Sequence, residues 1–273
     1  LLTMTREFLP AGTAGIIEAC PSALPASLEA DAVVLFLTEG GVGQGVAATV
    51  DAALGGVLGR LANDGELTGR RYECVPLLAA QGLRASQLLV VGLGRAEELD
   101  LGVLYRAAAT ASRHLAGRPR SRVAFLAEPA WTTLQIEQAV AGAAVVMVGQ
   151  DLYRSEPKRT RFGTTQWIGA DPAAVSRGSL IADGVNLARR LINASPDHLY
   201  PESFAEEAAS IAGRTGLEIE IWDEDRLRRE RCDAVLAVAR GSIRPPRLVL
   251  LRYRGRPQSS GDHPDLAFVG KGV

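Results

Sequence analysis

Along the first half of the chain, continuous apolar runs alternate with segments in which apolar residues recur at helical spacing. Three continuous apolar runs predict buried strands, at Asp31–Leu37, Gln87–Gly94 and Arg122–Leu126. Each run is followed by a segment with apolar residues at helical spacing, at Val46–Leu61, Leu99–Leu115 and Thr132–Val148. A strand followed by a helix, repeated in this way, predicts a largely parallel sheet with helices packed on its faces.

The middle of the chain predicts a domain boundary and a long helix. Residues 153–163 are polar and charged, and a short strand is expected at Trp167-Ile168. Helical spacing then runs over Pro172–Ala194, and it carries two apolar stripes, Leu180, Gly184, Leu187 and Leu191 beside Ile181, Val185, Ala188 and Ile192. Two apolar stripes predict a helix that is buried on more than one side.

The last third also alternates between helices and strands. Helices are predicted from Pro201 to about Gly213 and over Glu224–Glu230, where Asp223 is a capping residue. Strands are predicted at Leu217–Trp222, Ala234–Ala239, Arg247–Tyr253 and Leu266–Val269. We therefore divide the chain into an N-terminal α/β domain at residues 1–160, a linker and the start of a connecting helix at 161–177, and a second α/β domain at 178–273.

The composition is that of an ordinary globular protein, and the net charge limits the classes of binding partner that can be expected. Apolar residues make up 47% and charged residues 22% of the chain, and the net charge is -1. A charge so close to zero gives no overall attraction to nucleic acid or to an anionic membrane. The basic segment Lys158-Arg159-Thr160-Arg161 is a local exception, and a solvated linker is the interpretation we favour for it.

Cysteines and histidines are too scattered to form a sequence-local metal site or a disulfide framework. They are Cys20, Cys74, Cys232, His114, His198 and His263. This cysteine usage favours a reducing, cytoplasmic location. No apolar run approaches the roughly 20 residues of a membrane span, and the N-terminus lacks the pattern of a signal peptide.

A glycine-rich turn, Gly40-Gly41-Val42-Gly43-Gln44-Gly45, stands between the first predicted strand and helix. In that position a phosphate or dinucleotide can bind to backbone N–H groups. The alternative is a flexible loop that caps the strand, and we favour it because no strand ending in an acidic residue follows at the right distance. A second glycine pair, Gly92-x-Gly94, has Glu97 where the dinucleotide motif needs its third glycine.

The last predicted strand leads into Gly270-Lys271-Gly272, a cation between two glycines. Ligand sites in open α/β sheets gather at the carboxyl ends of strands, which makes Lys271 a candidate for chemistry. A solvated terminal lysine without a role is the alternative. A phosphate-binding P-loop is excluded, because Gly272 stands where that motif needs Ser or Thr.

Five motifs together resemble the leucyl aminopeptidases, the two-metal cytosolic aminopeptidases. In order, they are Ala188-Arg189-Arg190-Leu191-Ile192-Asn193 with Pro196, Tyr200-Pro201 with Phe204-Ala205, Gly241-Ser242 with Pro245-Pro246-Arg247-Leu248, Tyr253 with Gly255, and Phe268-Val269-Gly270-Lys271-Gly272. The first half fits the family more loosely, so the resemblance covers nearly all of the chain. Arg190 and Asp197 depart from the family pattern, which usually has an acidic residue and often Asn there.

The resemblance implies an N-terminal domain akin to the macro domains, followed by the beginning of the peptidase catalytic domain. It implies release of N-terminal amino acids from peptides by two divalent ions, with manganese, zinc and magnesium as the candidates, and assembly as a homo-hexamer. Lys271 matches the lysine that ligates one metal through its amine. The family's further acidic ligands and its other catalytic residues have no counterpart in these 273 residues, so we expect the chain alone to be inactive. A nucleotide or ADP-ribose-type binding module, or a scaffold, is the alternative function.

Overall fold

The apolar run of the first predicted strand lies at the centre of a six-stranded sheet. A computed structural model of the chain describes residues 15–147, 154–156, 158–255 and 266–271. The sheet contains β1 (Ile16–Cys20), β2 (Ala32–Thr38), β3 (Cys74–Leu78), β4 (Gln87–Gly94), β5 (Arg120–Leu126) and β6 (Phe162–Ile168). Their order is β1-β6-β5-β2-β4-β3, and every neighbouring pair is parallel except β3 with β4.

Helices cover both faces of this sheet, as the alternating pattern predicts. Helices α3 (Leu101–Leu115), α4 (Thr133–Val145) and α5 (Pro172–Asn193) pack on the face that carries Val34 and Phe36 of β2. Helices α1 (Gly45–Ala53) and α2 (Val57–Asn63) pack on the opposite face, against Val33 and Leu35. Successive residues of β2 point to opposite faces, and both faces are buried, so the strand is a continuous apolar run rather than an alternating one.

The single helix predicted over Val46–Leu61 is wrong, because the chain bends there into α1 and α2. The two helix axes differ in direction by 109°. Gly55 and Gly56 between them have φ of 63° and 81°, a left-handed conformation that glycine adopts without steric cost. The Asp51 carboxylate accepts hydrogen bonds from the N–H groups of Leu58 (2.7 Å) and Gly59 (3.2 Å), and so satisfies the first turn of α2.

Two edge strands of the sheet do not appear in the sequence pattern, and a third strand was predicted only in part. β1 and β3 were not predicted, and β6 begins at Phe162, five residues before the predicted short strand at Trp167. Residues 162–168 of the predicted linker 161–177 therefore lie in the sheet, between β1 and β5.

The described residues form two compact units that divide between Ile192 and Asn193, and the domain boundaries proposed from the sequence stay a prediction.

Helix α5 buries one stripe of small residues, not the two apolar stripes expected. Ala174, Gly178, Ala182 and Asn186 are buried at every fourth position. The expectation of burial on more than one side is wrong for the described residues, since apolar side chains on its other faces are exposed to solvent. They are Leu180 (67% exposed), Ile181 (39%), Val185 (37%) and Ile192 (80%).

The described part of the second unit contains a small sheet and three further helices. Strands β7 (Glu218–Trp222) and β8 (Leu248–Arg252) pair antiparallel. Helix α6 (Pro201–Thr215) starts at the predicted proline, and α7 (Glu224–Arg229) is capped by Asp223, whose carboxylate accepts from the Arg226 N–H at 2.9 Å. The proline start of α6, the Asp223 cap of α7 and the strand β7 are confirmed. The expectation that one face of β7 is exposed is wrong, because Glu218 and Ile221, which lie on opposite faces of the strand, are both exposed.

The strand predicted at Ala234–Ala239 is wrong, because residues Asp233–Ala239 form helix α8. An apolar run of this length does not distinguish a strand from a short helix by periodicity. Three alanines and a leucine favour the helix by intrinsic propensity.

Among the described residues, no single helix has the length and apolar character needed to span a membrane; the bent pair α1 and α2 meets that test only when the two are counted together.

The close packing of α3 on α4 generates a prediction about Gly142. A Cβ at this position would overlap the backbone carbonyl of Tyr105 on α3. We expect Gly142→Ala to lower the free energy of unfolding by about 1–3 kcal/mol, because the two helices must move apart. Chemical denaturation followed by circular dichroism measures the change.

Gly184→Ala is the matched control, because a Cβ on this residue of α5 meets no atom within 4 Å. That variant should gain about 0.5–1 kcal/mol from the better helix propensity of alanine. Equal effects of the two substitutions would contradict the packing described for α3 and α4.

Candidate functional site

The stretch that carries the predicted metal ligand has no regular secondary structure. Leu266, Phe268 and Val269 are 70%, 92% and 98% exposed, and Lys271 is exposed as well. The buried strand predicted at Leu266–Val269 is therefore wrong. A strand needs a neighbour for its backbone N–H and C=O groups, and within the described residues 266–271 pair with neither β7 nor β8.

The surroundings of Lys271 do not make a metal centre. No group of three or more His, Cys, Asp or Glu side chains in the described part of the chain is placed to hold one metal ion. Two divalent ions about 3.5–4 Å apart need several shared oxygen or nitrogen ligands. The described residues thus do not fit a pair of metal ions, and no catalytic step is assigned to them.

Two of the sequence motifs in the second unit are joined by side-chain contacts. The guanidinium of Arg244 lies over the Tyr200 ring, 4.0 Å from its centroid. The Arg247 guanidinium forms an ion pair of 3.3 Å with Glu202 in the first turn of α6. These contacts attach the segment before β8 to the start of α6, so here the motif residues stabilise the unit.

The glycine-rich turn lies where β2 ends and α1 begins. The N–H groups of Gly41 and Gln44 each donate 3.0 Å hydrogen bonds, to the carbonyls of Thr38 and Gly41. Gly40 and Gly45 have φ of 71° and 51°. The turn is thus a defined backbone structure that caps the strand, and it presents the N-terminus of α1 at the carboxyl end of the sheet.

A carboxylate from the neighbouring strand occupies this helix N-terminus. Glu128, just beyond β5, accepts hydrogen bonds from the Val46 N–H at both oxygens, each at 3.2 Å. A Cβ on Gly45 would overlap the same carboxylate. Burial raises the pKa of Glu128, and the hydrogen bond from Val46 opposes that change. Helix α1 therefore already holds an anion, and that anion belongs to the protein.

The second glycine pair has a packing role. A Cβ on Gly92 would overlap the backbone carbonyl of Arg70, and Gly94 has φ of 81° with the Arg71 side chain against it. The N–H of Gly94 donates to the Gly69 carbonyl at 2.8 Å. These glycines let residues 69–71 approach β4 closely, which accounts for the G-x-G pattern without a ligand.

Sequence reasoning did not find Glu128, although a signal for it exists. Glu128 comes two residues after β5, and β5 is the parallel neighbour of β2. Carboxyl ends of parallel neighbours meet at one edge, so an acidic residue there faces the helix that follows β2. The strand order was needed to make this connection.

The fold defines a three-layer α/β domain joined to a second α/β unit, and comparison with known proteins defines the family. Sequence models of the cytosol aminopeptidase family match residues 34–160, as its N-terminal domain, and residues 186–273, as its catalytic domain. The chain belongs to the cytosol aminopeptidase family.

Among its relatives are two probable cytosol aminopeptidases. The one from Rhodopirellula baltica is 36% identical over 77% of this chain and 41% of its own length. The one from Syntrophotalea carbinolica is 32% identical over 94% of this chain and 54% of its own length. The chain thus spans about half the length of these relatives.

Solved structures support the same fold. A variant of tomato leucine aminopeptidase superposes with a TM-score of 0.72 at 19% identity, over 86% of this chain and 50% of the tomato chain. The bottromycin maturation enzyme BotP, in a complex with Mn, gives 0.68 at 25% identity over 83% of this chain and 46% of BotP.

The environment of Glu128 predicts how stability depends on pH. Its folded-state pKa is raised above the ordinary value of 4.5, so the folded protein binds more protons than the unfolded chain as this group titrates. The free energy of unfolding contributed by Glu128 therefore falls as pH rises through its folded pKa. Glu128→Gln should remove this component, so the stability of the variant relative to the wild type should increase as pH rises above the ordinary pKa of 4.5.

Urea denaturation at several pH values measures the difference between the two proteins. Glu97→Gln, at an exposed carboxylate of the same chain, controls for the general loss of one negative charge. A stability of Glu128→Gln relative to the wild type that does not increase with rising pH would show that the carboxylate is not held in a desolvated position.

Proposed function

We propose that the complete protein is a metal-dependent aminopeptidase that releases N-terminal amino acids from peptides. The observation that carries the proposal is the match of both domains of the cytosol aminopeptidase family, in order, over 34–160 and 186–273. The relatives named as probable cytosol aminopeptidases support the same activity. The substrates proposed are peptides with a free N-terminus.

The proposal includes two divalent ions, with manganese, zinc or magnesium as the candidates. The Mn present in the BotP structure supports a divalent ion in this fold. Bound ions of this kind lower the pKa of water and polarise a carbonyl group. The described residues do not complete such a centre, so its carboxylate ligands are proposed to come from the remainder of the complete protein.

Lys271 is the residue of this chain proposed to bind one of these ions. A lysine ligates a metal only through its neutral amine, and a dication beside it favours the neutral form. Exposure of Lys271 leaves the amine open to approach by further ligands. The small neighbour Gly270 adds no side chain that obstructs the approach, since a Cβ there meets no atom within 4 Å.

A cytoplasmic location and a homo-hexamer are part of the same proposal. Scattered, unpaired cysteines support a reducing compartment: Cys20, Cys74 and Cys232 are all free thiols. Leu180 and Ile192 on α5 are exposed. They support contacts with other subunits, because large exposed apolar surfaces usually mark an interface.

A nucleotide-binding module is the weaker function for this chain. The helix N-terminus at which a phosphate would accept backbone hydrogen bonds is occupied by Glu128. Two negative groups at one site repel each other, so the geometry opposes phosphate binding at the glycine turn.

The role of Lys271 is tested in the complete protein. Lys271→Ala should abolish most hydrolysis of a leucine anilide and weaken metal affinity by at least about tenfold. Loss of a side chain that only hydrogen-bonds to a metal ligand already lowers metal affinity by about 10–100-fold. Lys271→Arg should fail equally, because a guanidinium keeps its charge and cannot become a neutral donor.

Lys158→Ala is the matched control, since it removes the other lysine of the chain. Hydrolysis rate and metal affinity, the latter by calorimetry with Mn²⁺, are the two readouts. Activity of Lys271→Ala at the wild-type level would remove Lys271 from the metal centre.

The isolated 273-residue chain is expected to be inactive. Its described residues bring together no carboxylate cluster for a metal ion. Calorimetry with Mn²⁺ or Zn²⁺ should therefore show no tight binding of two ions, and the leucine anilide should not be hydrolysed. Metal-dependent turnover by this chain would show that it carries a complete centre.

A further inference from the structure

A cavity of about 600 Å³ opens at the amino ends of four parallel strands, on the edge of the sheet opposite the glycine turn. Its lining includes residues directly before or at the start of these strands: Asp31 for β2, Gln87 for β4, Arg120 for β5 and Arg161 for β6. Its volume lies in the range of about 300–1,000 Å³ that is usual for small-molecule sites.

The lining of this cavity is strongly basic. Among the described residues that line it are the arginines Arg118, Arg120 and Arg161 and a single carboxylate, that of Asp31. Asp31 is already engaged, because its Oδ2 accepts from the backbone N–H groups of Ser121 (2.5 Å) and Arg122 (3.0 Å). The cavity therefore has a local excess of positive charge in a chain whose net charge is -1.

Arg120 is held in place by neutral groups, and no carboxylate of the described residues lies at hydrogen-bond distance from it. Its Nε donates to the Leu115 carbonyl (3.2 Å), Nη1 to the Asp31 carbonyl (3.4 Å) and Nη2 to the Gln87 side-chain oxygen (2.5 Å). All three acceptors are neutral, so they fix the guanidinium but do not neutralise it. Burial lowers the pKa of Arg120, the Asp31 charge raises it, and the neighbouring Arg118 lowers it again.

The basic segment that the sequence analysis interpreted as a solvated linker contributes to the same cavity. Thr160 and Arg161 line it, and the Thr160 N–H donates to the Ala116 carbonyl at 2.8 Å. This hydrogen bond fixes the segment beside the end of α3, next to Arg118. Residues far apart in sequence thus converge on one positively charged, concave surface.

We propose that this cavity binds a small anion that carries two or more phosphate groups. Guanidinium groups match phosphate oxygens in charge and in bidentate geometry. The hydroxyl groups of Ser121 and Thr160 in the lining are further hydrogen-bond donors. Three arginines against one engaged carboxylate suit an oligophosphate better than an anion of single charge. All of its lining lies between residues 31 and 163, within the first of the two compact units.

The test is calorimetric titration of the complete protein with inorganic tripolyphosphate, in a metal-free buffer of low ionic strength. We expect saturable binding of one anion per chain that weakens as salt is added. The double variant Arg118→Gln/Arg161→Gln should bind at least about tenfold more weakly, since each lost charge-assisted hydrogen bond is worth about that factor. Both side chains are exposed, and circular dichroism verifies that the variant is folded.

The matched control is Arg70→Gln/Arg214→Gln, which removes two exposed arginines outside the cavity lining. It changes the net charge equally and should leave affinity unchanged. Equal loss in the two double variants would overturn the proposal, because it would show binding by net charge alone. Absence of saturable tripolyphosphate binding would overturn it as well.

Titration with adenosine triphosphate distinguishes a site for an inorganic phosphate chain from a site for a nucleotide. Affinity equal to that of tripolyphosphate indicates a site for the phosphate chain alone, and tighter binding indicates a nucleotide; both outcomes support the proposal. Binding of a short DNA duplex without binding of tripolyphosphate would instead assign the surface to nucleic acid and overturn it. Peptidase activity is not a readout here, so this test and that of the proposed function fail independently.

Discussion

Strand β2 is buried on both faces and paired on both edges, and the arrangement of the first unit follows from this constraint. Its backbone groups pair with β4 on one side and β5 on the other. Its side chains from Ala32 to Leu37 are at most 2% exposed. Helices must therefore cover both faces, and the connections between parallel strands must cross over the sheet. The same connections bring the carboxyl ends of the parallel strands to one side of the sheet, here called the carboxyl edge, and the amino ends to the opposite side, the amino edge.

The two edges of this sheet have opposite electrostatic character. At the carboxyl edge, the N-terminus of α1 binds the carboxylate of Glu128, so a favourable anion position is filled from within the chain. At the amino edge, Arg118, Arg120 and Arg161 gather around a cavity whose described lining contains one carboxylate, that of Asp31. In many open α/β sheets ligands bind at the carboxyl edge; here the open position for an anion is at the amino edge.

In the second unit, family motifs make contacts with each other although the described residues contain no assembled metal site. Arg244 on Tyr200 and Arg247 on Glu202 join two family motifs, and these contacts are complete within the unit. Lys271 has a matching sequence context but no cluster of metal-binding side chains among the described residues. Metal chemistry needs several ligands at one point, so the proposed peptidase function rests on family membership and not on an assembled centre.

The sequence by itself determined the buried strands β2 and β4, the amphipathic helix α3 and the family, because long apolar runs, helical spacing and ordered motifs are local signals. Short or half-exposed elements such as β1, β3 and α8 were missed or mistaken, since a few residues carry too little periodicity. Only the tertiary structure decided that Glu128 meets α1 and that Arg118, Arg120 and Arg161 line one cavity. Those contacts depend on the order of strands in the sheet, which brings together residues that are distant in sequence. Strand order produces no local pattern of residues that could be recognised along the chain.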